Sequence, residues 1–308
     1  MKQEVQPFGN EYHVPVLLHE VLEHLHINPS GTYVDCTFGG GGHSRAILQN
    51  LNEEGRLIAF DQDADARQNL PADERVLFVP HNFRHLQRFL KLNGVQEADG
   101  ILADLGVSSH QFNEAERGFS TRFDAALDMR MDQRQEKTAF SVVNTYSEAA
   151  LHKLFEQYGE VTNSKTLART IVDVRRTASL QTIDGFKTAL SGVVKGNPNK
   201  YFAQVFQALR MEVNDEMGAL KEMLEQLPNV LKQGGRVAII TFHSIEDRMV
   251  KVFFRDNSFE EVEENPFATT KRIKTLQAVN KKPVVPTGEE QKRNPRSRSA
   301  KLRVAEKI

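Results

Sequence analysis

The chain contains a single cysteine among its 308 residues and lacks long apolar runs. One cysteine excludes an intrachain disulfide. No apolar run approaches the roughly 20 residues of a membrane-spanning helix, and the opening MKQEVQPFGNEY has no signal-peptide pattern. We therefore expect a soluble, cytoplasmic protein with no membrane partner, and we predict no metal site.

Net charge is also nearly absent, because 40 basic side chains are balanced by 41 acidic ones. The balance hides an asymmetry: residues 271–308 carry twelve Lys/Arg and three Asp/Glu. A basic segment on an acidic body indicates contact with a polyanion, although a solubilising surface run is the commoner cause. Basic and apolar residues alternate over 300–304, which predicts a strand there.

The stretch 32–63 has the order strand, glycine loop, helix, strand, which predicts a βαβ nucleotide-binding unit. Four consecutive glycines, 39–42, follow the first strand, and glycine lets backbone approach a ligand closely. Asp61 follows the second strand, where an acidic side chain accepts hydrogen bonds from ribose hydroxyls. The predicted elements are a strand at 33–36, a helix at 44–51 and a strand at 56–60.

Two features missing from this loop narrow the choice of cofactor. A dinucleotide site has a third small residue near the helix start, in G-x-G-x-x-G, but the corresponding positions hold Ser44 or Arg45. No G-K-[ST] follows the glycines, which excludes a P-loop. S-adenosylmethionine has no phosphate, so a four-glycine run followed by Asp61 favours it. A glycine-rich turn with a solvated aspartate is the alternative, which the strand–loop–helix–strand context disfavours.

Three further apolar runs continue the pattern and predict strands at 76–79, 99–103 and 236–240. Strands that alternate with helices predict an α/β fold with a doubly wound, mainly parallel sheet. Ligands of such sheets bind at the carboxyl ends of the strands. We therefore expect Gly41, Asp61, Phe83, Asp104 and His243 to converge on one crevice.

More than 100 residues separate the fourth and fifth predicted strands, too many for a simple crossover. A chain of 308 residues with 39% hydrophobic residues fits one large domain or a domain that carries an insertion. We predict that residues 112–212 are an inserted helical subdomain within a sheet domain formed by 1–111 and 213–308. The helical patterns lie at 147–158 and 166–176, and a long amphipathic run covers 202–227.

Nine strings, in order along the chain, carry a family resemblance. They are HVPVLLHEV (13–21), DCTFGGGGHS (35–44), FDQD (60–63), DLGVSSHQF (104–112), ERGFS (116–120), LDMRMD (127–132), FQALRMEVNDE (206–216), TFHSIEDRMVKVFF (241–254) and NPRSRSAKLR (294–303). Together they resemble the bacterial small-subunit ribosomal RNA cytosine-N(4)-methyltransferase family, known as RsmH or MraW. The most specific pieces are LDMRMD and FHSIEDR.

This resemblance implies a class I, Rossmann-like methyltransferase domain with an inserted helical substrate-recognition domain. It also implies methyl transfer from S-adenosylmethionine to the exocyclic N4 amine of a decoding-centre cytosine. The implied partner is small-subunit ribosomal RNA, naked or in a ribosomal particle, and a homodimer is left open.

Carried over by position, the resemblance implies cofactor contacts at Gly41, Gly42, His43, Asp61, Phe83, Asp104 and Gln111. The loop backbone would contact the methionine end, Asp61 the ribose and Phe83 the adenine. Gln111 would bond the cofactor or the target base. Two simpler interpretations remain open: His43 could act only through its backbone, and Phe83 could be only a core residue.

We predict that Asp104, at the end of the fourth strand, is the acidic group closest to the chemistry, where it accepts the hydrogens of the target amine. His243, Ser244 and Asn214 are candidate helpers. The chain departs from two patterns here. Many amino-methyltransferases have Pro-Pro-aromatic after this position, where the chain has Leu105-Gly106-Val107, and the family's Tyr-Gly-Glu-Glu is replaced by Tyr-Gly-Glu-Val at 158–161.

Ring-carbon methylation of cytosine requires a thiolate that adds to the base. Cys36 ends the first strand rather than the fourth, so we assign it to packing and favour an amine or hydroxyl acceptor. In the basic region, Arg296 and Arg298 are candidates for contact with RNA phosphates. Two other classes stay open: a nicotinamide-dependent dehydrogenase and a catalytically inert RNA-binding assembly factor.

Overall fold

The protein is described from a computed structural model, which covers residues 15–260 and 274–308. The opening MKQEVQPFGNEY and residues 271–273 of the basic region lie outside these ranges. The chain divides into two compact units. We call the part up to Gly106 and from Leu220 onward the sheet unit, and Val107–Ala219 the helical unit; the predicted insert bounds, 112–212, lie inside the latter.

The strands of the sheet unit are β1 Thr32–Asp35, β2 Arg56–Phe60, β3 Val76–Val79, β4 Ala98–Asp104, β5 Leu231–Thr241, β6 Leu276–Ala278 and β7 Lys301–Lys307. They form one sheet in the order β3-β2-β1-β4-β5-β7-β6. Strands β1 to β5 pair in parallel, and β7 runs antiparallel to both β5 and β6. The predicted doubly wound α/β sheet is confirmed, and its strand order reverses between β1 and β4, where such folds bind ligands.

The helices are α1 Leu18–Leu25, α2 Gly42–Gln49, α3 Leu86–Leu92, α4 Ser109–Asn113, α5 Ala139–Thr145, α6 Glu148–Gln157, α7 Ser164–Val174, α8 Ile183–Ala189, α9 Pro198–Val213, α10 Glu216–Val230, α11 Ser244–Asp256 and α12 Gly288–Arg293. Across the described ranges, none of them combines the length and apolar character of a membrane span. Helices α5 to α9 surround the apolar core of the helical unit, in which Phe155, Phe186 and Leu209 are fully buried.

The predicted bounds of β1 to β4 agree with the structure to within one residue. These strands are recognisable in the sequence because the strands of a parallel sheet covered on both faces are nearly continuous apolar runs. The prediction of one long run over 202–227 is wrong: α9 ends at Val213 and α10 begins at Glu216. Asp215 separates them with φ 47, a left-handed conformation that stops a helix. Strand β6 was not predicted, since three residues are too few to show an alternation.

Candidate functional site

Aspartates lie at the carboxyl ends of two adjacent central strands, β1 and β4. Asp35 is 1% exposed, and its carboxylate accepts hydrogen bonds from Ser44 Oγ at 2.7 Å and Thr37 N at 3.0 Å. Thr37 Oγ1 in turn accepts from Asp104 N at 2.7 Å. Hydrogen bonds therefore tie the ends of β1 and β4 to the first turn of α2. Burial raises the pKa of Asp35, and the bonds to Ser44 and Thr37 oppose the shift.

Asp61 ties the end of β2 to the glycine loop. Its Oδ2 accepts from Gly39 N at 2.7 Å, and its Oδ1 accepts from Asp63 N at 2.9 Å. A carboxylate offers about four acceptor positions, so this carboxylate keeps capacity for hydroxyl donors. Burial raises the pKa of Asp61 to about 7, against the lowering effect of the two backbone hydrogen bonds.

Asp104 has a carboxylate oxygen that is buried without a partner. Within the described ranges, no hydrogen bond reaches its Oδ1. Burial raises the pKa of Asp104 to about 6; the His43 ring lowers it and the charge of Asp35 raises it. A buried, unpaired carboxylate oxygen is costly, and a perturbed pKa at the end of a central strand marks a candidate functional group.

The side chain of His43 takes part in this arrangement. Its Nε2 lies 3.0 Å from the Val16 carbonyl oxygen, which can only accept, so Nε2 carries the hydrogen. Its Nδ1 lies 3.7 Å from Asp104 Oδ2. The ring is nearly buried. His43 therefore contributes more than a backbone amide at the start of α2.

Glycine is required at Gly41 and Gly42 by the protein itself. Gly41 has φ +74°, and a Cβ on it would lie 2.8 Å from the Phe38 ring; a Cβ on Gly42 would clash with Pro15. Side chains also brace the loop: Arg45 donates to the carbonyl oxygens of Gly40 and Asn69, and Asn69 Nδ2 donates to Gly39 O. Contact of this braced loop with a cofactor stays a proposal.

Phe83 lies beyond the carboxyl end of β3, half-buried at the start of a short 3-10 helix. The adjacent Asn82 donates from Nδ2 to Gln62 Oε1 at 2.8 Å, which ties the segments that follow β2 and β3. The structure thus places Phe83 at the same edge of the sheet as Asp61 and Asp104. Its role as an adenine wall stays a proposal.

Gln111 belongs to the helical unit, unlike the other predicted cofactor residues. It is 5% exposed and forms a capping box at the start of α4. Its Oε1 accepts from Ser108 N at 3.0 Å, and its own N donates to Ser108 Oγ at 3.1 Å. A contact with the cofactor or the target base stays a proposal.

The predicted helpers lie in both units: Asn214 in the helical unit, and His243 and Ser244 in the sheet unit. The Asn214 amide is used in full: Nδ2 donates to Met129 O and Arg210 O, and Oδ1 accepts from Met131 N and Gln135 Nε2. Asn214 therefore holds the LDMRMD loop within the helical unit, and we assign it no chemical role. His243 and Ser244 lie at the start of α11, where the Glu246 carboxylate accepts from the His243 backbone.

The C-terminal basic segment divides into two groups. Arg303 is 7% exposed and pairs with Asp247 at 2.6 Å, and Lys301 pairs with the same carboxylate at 3.3 Å. These two residues brace β7 against α11. Arg296 and Arg298, by contrast, are exposed on a short 3-10 helix, Pro295–Ser299.

Cys36 is buried, and burial raises the pKa of its thiol well above the usual range. Such a thiol is a poor nucleophile, which agrees with the packing role.

The sequence interpretation missed several contributors to the site, namely Asp35, Thr37, Arg45, Asn69 and the structural contact of Ser44. The contact of Thr37 was predictable from the sequence. The spacing Asp-x-Thr is typical of a turn in which the aspartate carboxylate accepts a hydrogen bond from the backbone N–H two residues later. The partners of Ser44 and Arg45 depend on how the loop folds, which no spacing reveals.

The chain is similar to known proteins over nearly its whole length. The model of the MraW methylase family matches residues 10–308. "Ribosomal RNA small subunit methyltransferase H" of Parabacteroides distasonis is 54% identical over 299 residues, which cover 96% of this chain and 98% of that protein. The protein of the same name from Bacteroides thetaiotaomicron is 52% identical, with 96% and 97% covered. A Streptococcus mutans methyltransferase solved in complex with SAH is 9% identical with TM-score 0.42, and 96% of this chain and all of that one are covered.

Proposed function

We propose, from the premise that this chain belongs to the MraW methylase family, that it methylates the exocyclic N4 amine of a cytosine in small-subunit ribosomal RNA. S-adenosylmethionine is the methyl donor. Family membership decides against the nicotinamide-dependent dehydrogenase. Curated relatives that share about half of their residues with the chain carry the name of a small-subunit ribosomal RNA methyltransferase, which supports the RNA substrate. The cytosine and its N4 position rest on the sequence resemblance and on the chemistry of the site.

The residues of the sheet unit fit this donor. S-adenosylmethionine carries a cationic sulfonium and an ammonium group, and the carboxylates of Asp61 and Asp104 lie at the ends of β2 and β4. Asp61 keeps acceptor capacity for ribose hydroxyls beyond its two internal hydrogen bonds. Asp104 Oδ1 is buried and has no partner among the described residues. When bound, the donor supplies an electrophilic methyl group.

The observation that carries the proposal is the state of Asp104. A cytosine amine is a weak nucleophile because its lone pair is delocalised into the ring. As the amine nitrogen bonds to the methyl carbon and the carbon–sulfur bond breaks, the nitrogen becomes positive and must lose a proton. The Asp104 carboxylate, whose side chain is 26% exposed, can accept it, and a pKa of about 6 leaves this group mostly ionised at neutral pH.

The alternative acceptor atoms are less well supported. Methylation of the ring carbon needs a thiolate, and the chain's one cysteine is buried with a raised pKa. Substrate recognition by the helical unit follows from the resemblance and is part of the proposal. The exposed Arg296 and Arg298 are proposed phosphate contacts.

The test is incorporation of labelled methyl groups from S-adenosylmethionine into small-subunit particles and into naked ribosomal RNA, with digestion and identification of the labelled nucleoside. N4-methylcytidine is expected. Label in 5-methylcytidine or in a ribose 2′-O-methyl group would overturn the assigned acceptor. Absence of label from both substrates would instead support an inert RNA-binding factor.

A further inference from the structure

An arginine and two phenylalanines form a stacked cluster in the helical unit. The guanidinium carbon of Arg122 lies 5.2 Å from the ring centroid of Phe112 and 5.7 Å from that of Phe123. Phe112 packs partly against the core, whereas Phe123 is 42% exposed and Arg122 is also exposed. We call Phe112, Arg122 and Phe123 the stacking cluster. It presents an aromatic ring and a planar cation to solvent.

The loop that carries Arg122 and Phe123 is anchored within the helical unit. Arg122 itself is held to Ser120, whose Oγ lies 3.3 Å from both its backbone N and its Nε. Other residues of this loop bond to α8 and to Gln181, two residues before it. These contacts are Ile183 N to Ala125 O at 3.0 Å, Leu127 N to Gln181 O at 2.9 Å, Asp184 N to Asp124 Oδ1 at 3.0 Å and Lys187 Nζ to Thr121 O at 3.1 Å. The backbone that carries the exposed ring is therefore tied to the rest of the helical unit.

Arg122 differs from the next two arginines in the chain. Arg130 and Arg134 are paired with Asp128 and Asp132 at 2.7 and 2.8 Å. In the described parts of the chain, Arg122 has no carboxylate within 4.0 Å. Its guanidinium lies against the two rings and its Nε bonds to Ser120 Oγ, so its two terminal amino groups remain as donors for the oxygens of a phosphate.

We propose that the stacking cluster binds a single-stranded segment of the substrate RNA, with an unstacked base on the exposed face of Phe123 and a phosphate at the edge of Arg122. The inference rests on the proposed function and adds to it a surface that holds the substrate. Unpaired bases stack on aromatic rings and on arginine planes. The interaction tolerates any base because every base has a π-face, whereas a duplex hides those faces. The occupant is therefore single-stranded RNA rather than duplex.

The composition of the chain allows a direct test. There is no tryptophan in the protein, so Phe123→Trp creates a unique fluorescent probe in the cluster. A single-stranded RNA oligonucleotide should quench its emission, and the same sequence as a duplex, or inorganic polyphosphate, should not. Phe140→Trp is the matched control, because Phe140 lies on α5 of the same unit and is 38% exposed. Its emission should not respond.

Affinity provides the second measurement. Phe123→Ala and Phe123→Leu should each weaken binding of the single-stranded oligonucleotide by roughly ten-fold, because one stacked base is lost. Phe123→Tyr should bind like the wild type, and so should Phe140→Ala. Arg122→Lys keeps the charge but loses the planar group, so its affinity should lie between those of the wild type and Arg122→Gln.

Three results would overturn the proposal: equal quenching of the two tryptophan probes, wild-type affinity in both Phe123→Ala and Phe123→Leu, or loss of binding to ribosomal particles with unchanged binding to RNA. The last result would indicate a protein partner. If the wild type methylates RNA and Phe123→Ala binds RNA as tightly as the wild type, only the role of the stacking cluster is overturned. A wild-type protein that neither binds nor methylates RNA would overturn the proposed function as well.

Discussion

His43 and Asp104 face each other with 3.7 Å between Nδ1 and Oδ2, and the Val16 carbonyl holds the opposite nitrogen of the histidine at 3.0 Å. Because Nε2 carries a hydrogen toward Val16, an uncharged ring turns an acceptor nitrogen toward Asp104. A charged ring turns a donor toward it and favours the carboxylate. Burial raises the pKa of Asp104 to about 6, and the neighbouring His43 ring opposes this rise.

This relationship predicts the pH dependence of methylation. Asp104 must be ionised to accept the amine proton, so the single-turnover rate should fall as the pH falls through about 6. The His43 ring lowers the pKa of Asp104. His43→Gln should therefore move the midpoint of the acid limb to higher pH, measured with saturating cofactor and RNA.

The matched control is His152→Gln. His152 lies on α6 and is 3.7 Å from the Glu156 carboxylate, so the substitution removes a histidine–carboxylate pair of similar spacing. Its pH–rate profile should match the wild type. Superimposable profiles for His43→Gln and the wild type would rule out coupling between His43 and Asp104.

Asp104→Asn tests whether Asp104 supports the chemistry. The substitution keeps the shape but removes the charge that accepts the proton, so single-turnover methylation should slow by about a hundred-fold or more with both substrates saturating. Asp99→Asn is the control on the same strand, where Asp99 accepts from Thr32 N and pairs with Lys232. If saturating S-adenosylmethionine returns Asp104→Asn to nearly the wild-type rate, Asp104 only anchors the cofactor.

Asp61→Ala tests the ribose contact. At pH 8, above the Asp61 pKa of about 7, loss of charge-assisted hydrogen bonds to ribose should cost about 1.5–3 kcal/mol. This is roughly ten- to hundred-fold in affinity for S-adenosylmethionine by titration calorimetry. The variant also loses the acceptor for Gly39 N, so retention of the fold must be checked by circular dichroism. Asp65→Ala, in the 3-10 helix that follows, is the control and should bind normally. An unchanged dissociation constant in folded Asp61→Ala would exclude the ribose role.

The strand ends were predictable, while the contacts made there were not. Asp61 and Asp104 each follow an apolar run, so their positions at one edge of a parallel sheet follow from pattern alone. The pairing of His43 with Asp104 joins residues 61 positions apart, and no local spacing encodes it. Likewise Gly42 is fixed by packing against Pro15, a contact that exists only in the folded chain.

Asp104 should also lower the stability of the cofactor-free protein as the pH rises. Its pKa is 3.8 unperturbed and about 6 in the fold, so folding takes up a proton between these values, and the associated stability is lost as the pH rises through about 6. Asp104→Asn removes this loss. The difference in free energy of unfolding, Asp104→Asn minus wild type, should therefore rise by about 1–2 kcal/mol from pH 5 to pH 8. Urea unfolding at the two pH values measures it. A pH-independent difference would contradict the raised pKa.

Arg296→Gln combined with Arg298→Gln tests the proposed phosphate contacts. Both arginines are exposed, and each phosphate contact contributes roughly 0.7–0.9 to the slope of log affinity against log salt. The double variant should bind RNA more weakly, with a slope smaller by about 1.4–1.8 and an unchanged affinity for S-adenosylmethionine.

Lys281→Gln with Lys282→Gln removes the same charge from two other exposed positions of the basic region and should leave the slope nearly unchanged. Arg303 and Lys301 show that this region also uses cations as braces, through Asp247. Identical salt slopes in the arginine variant and the wild type would assign Arg296 and Arg298 to such a structural role or to solvent.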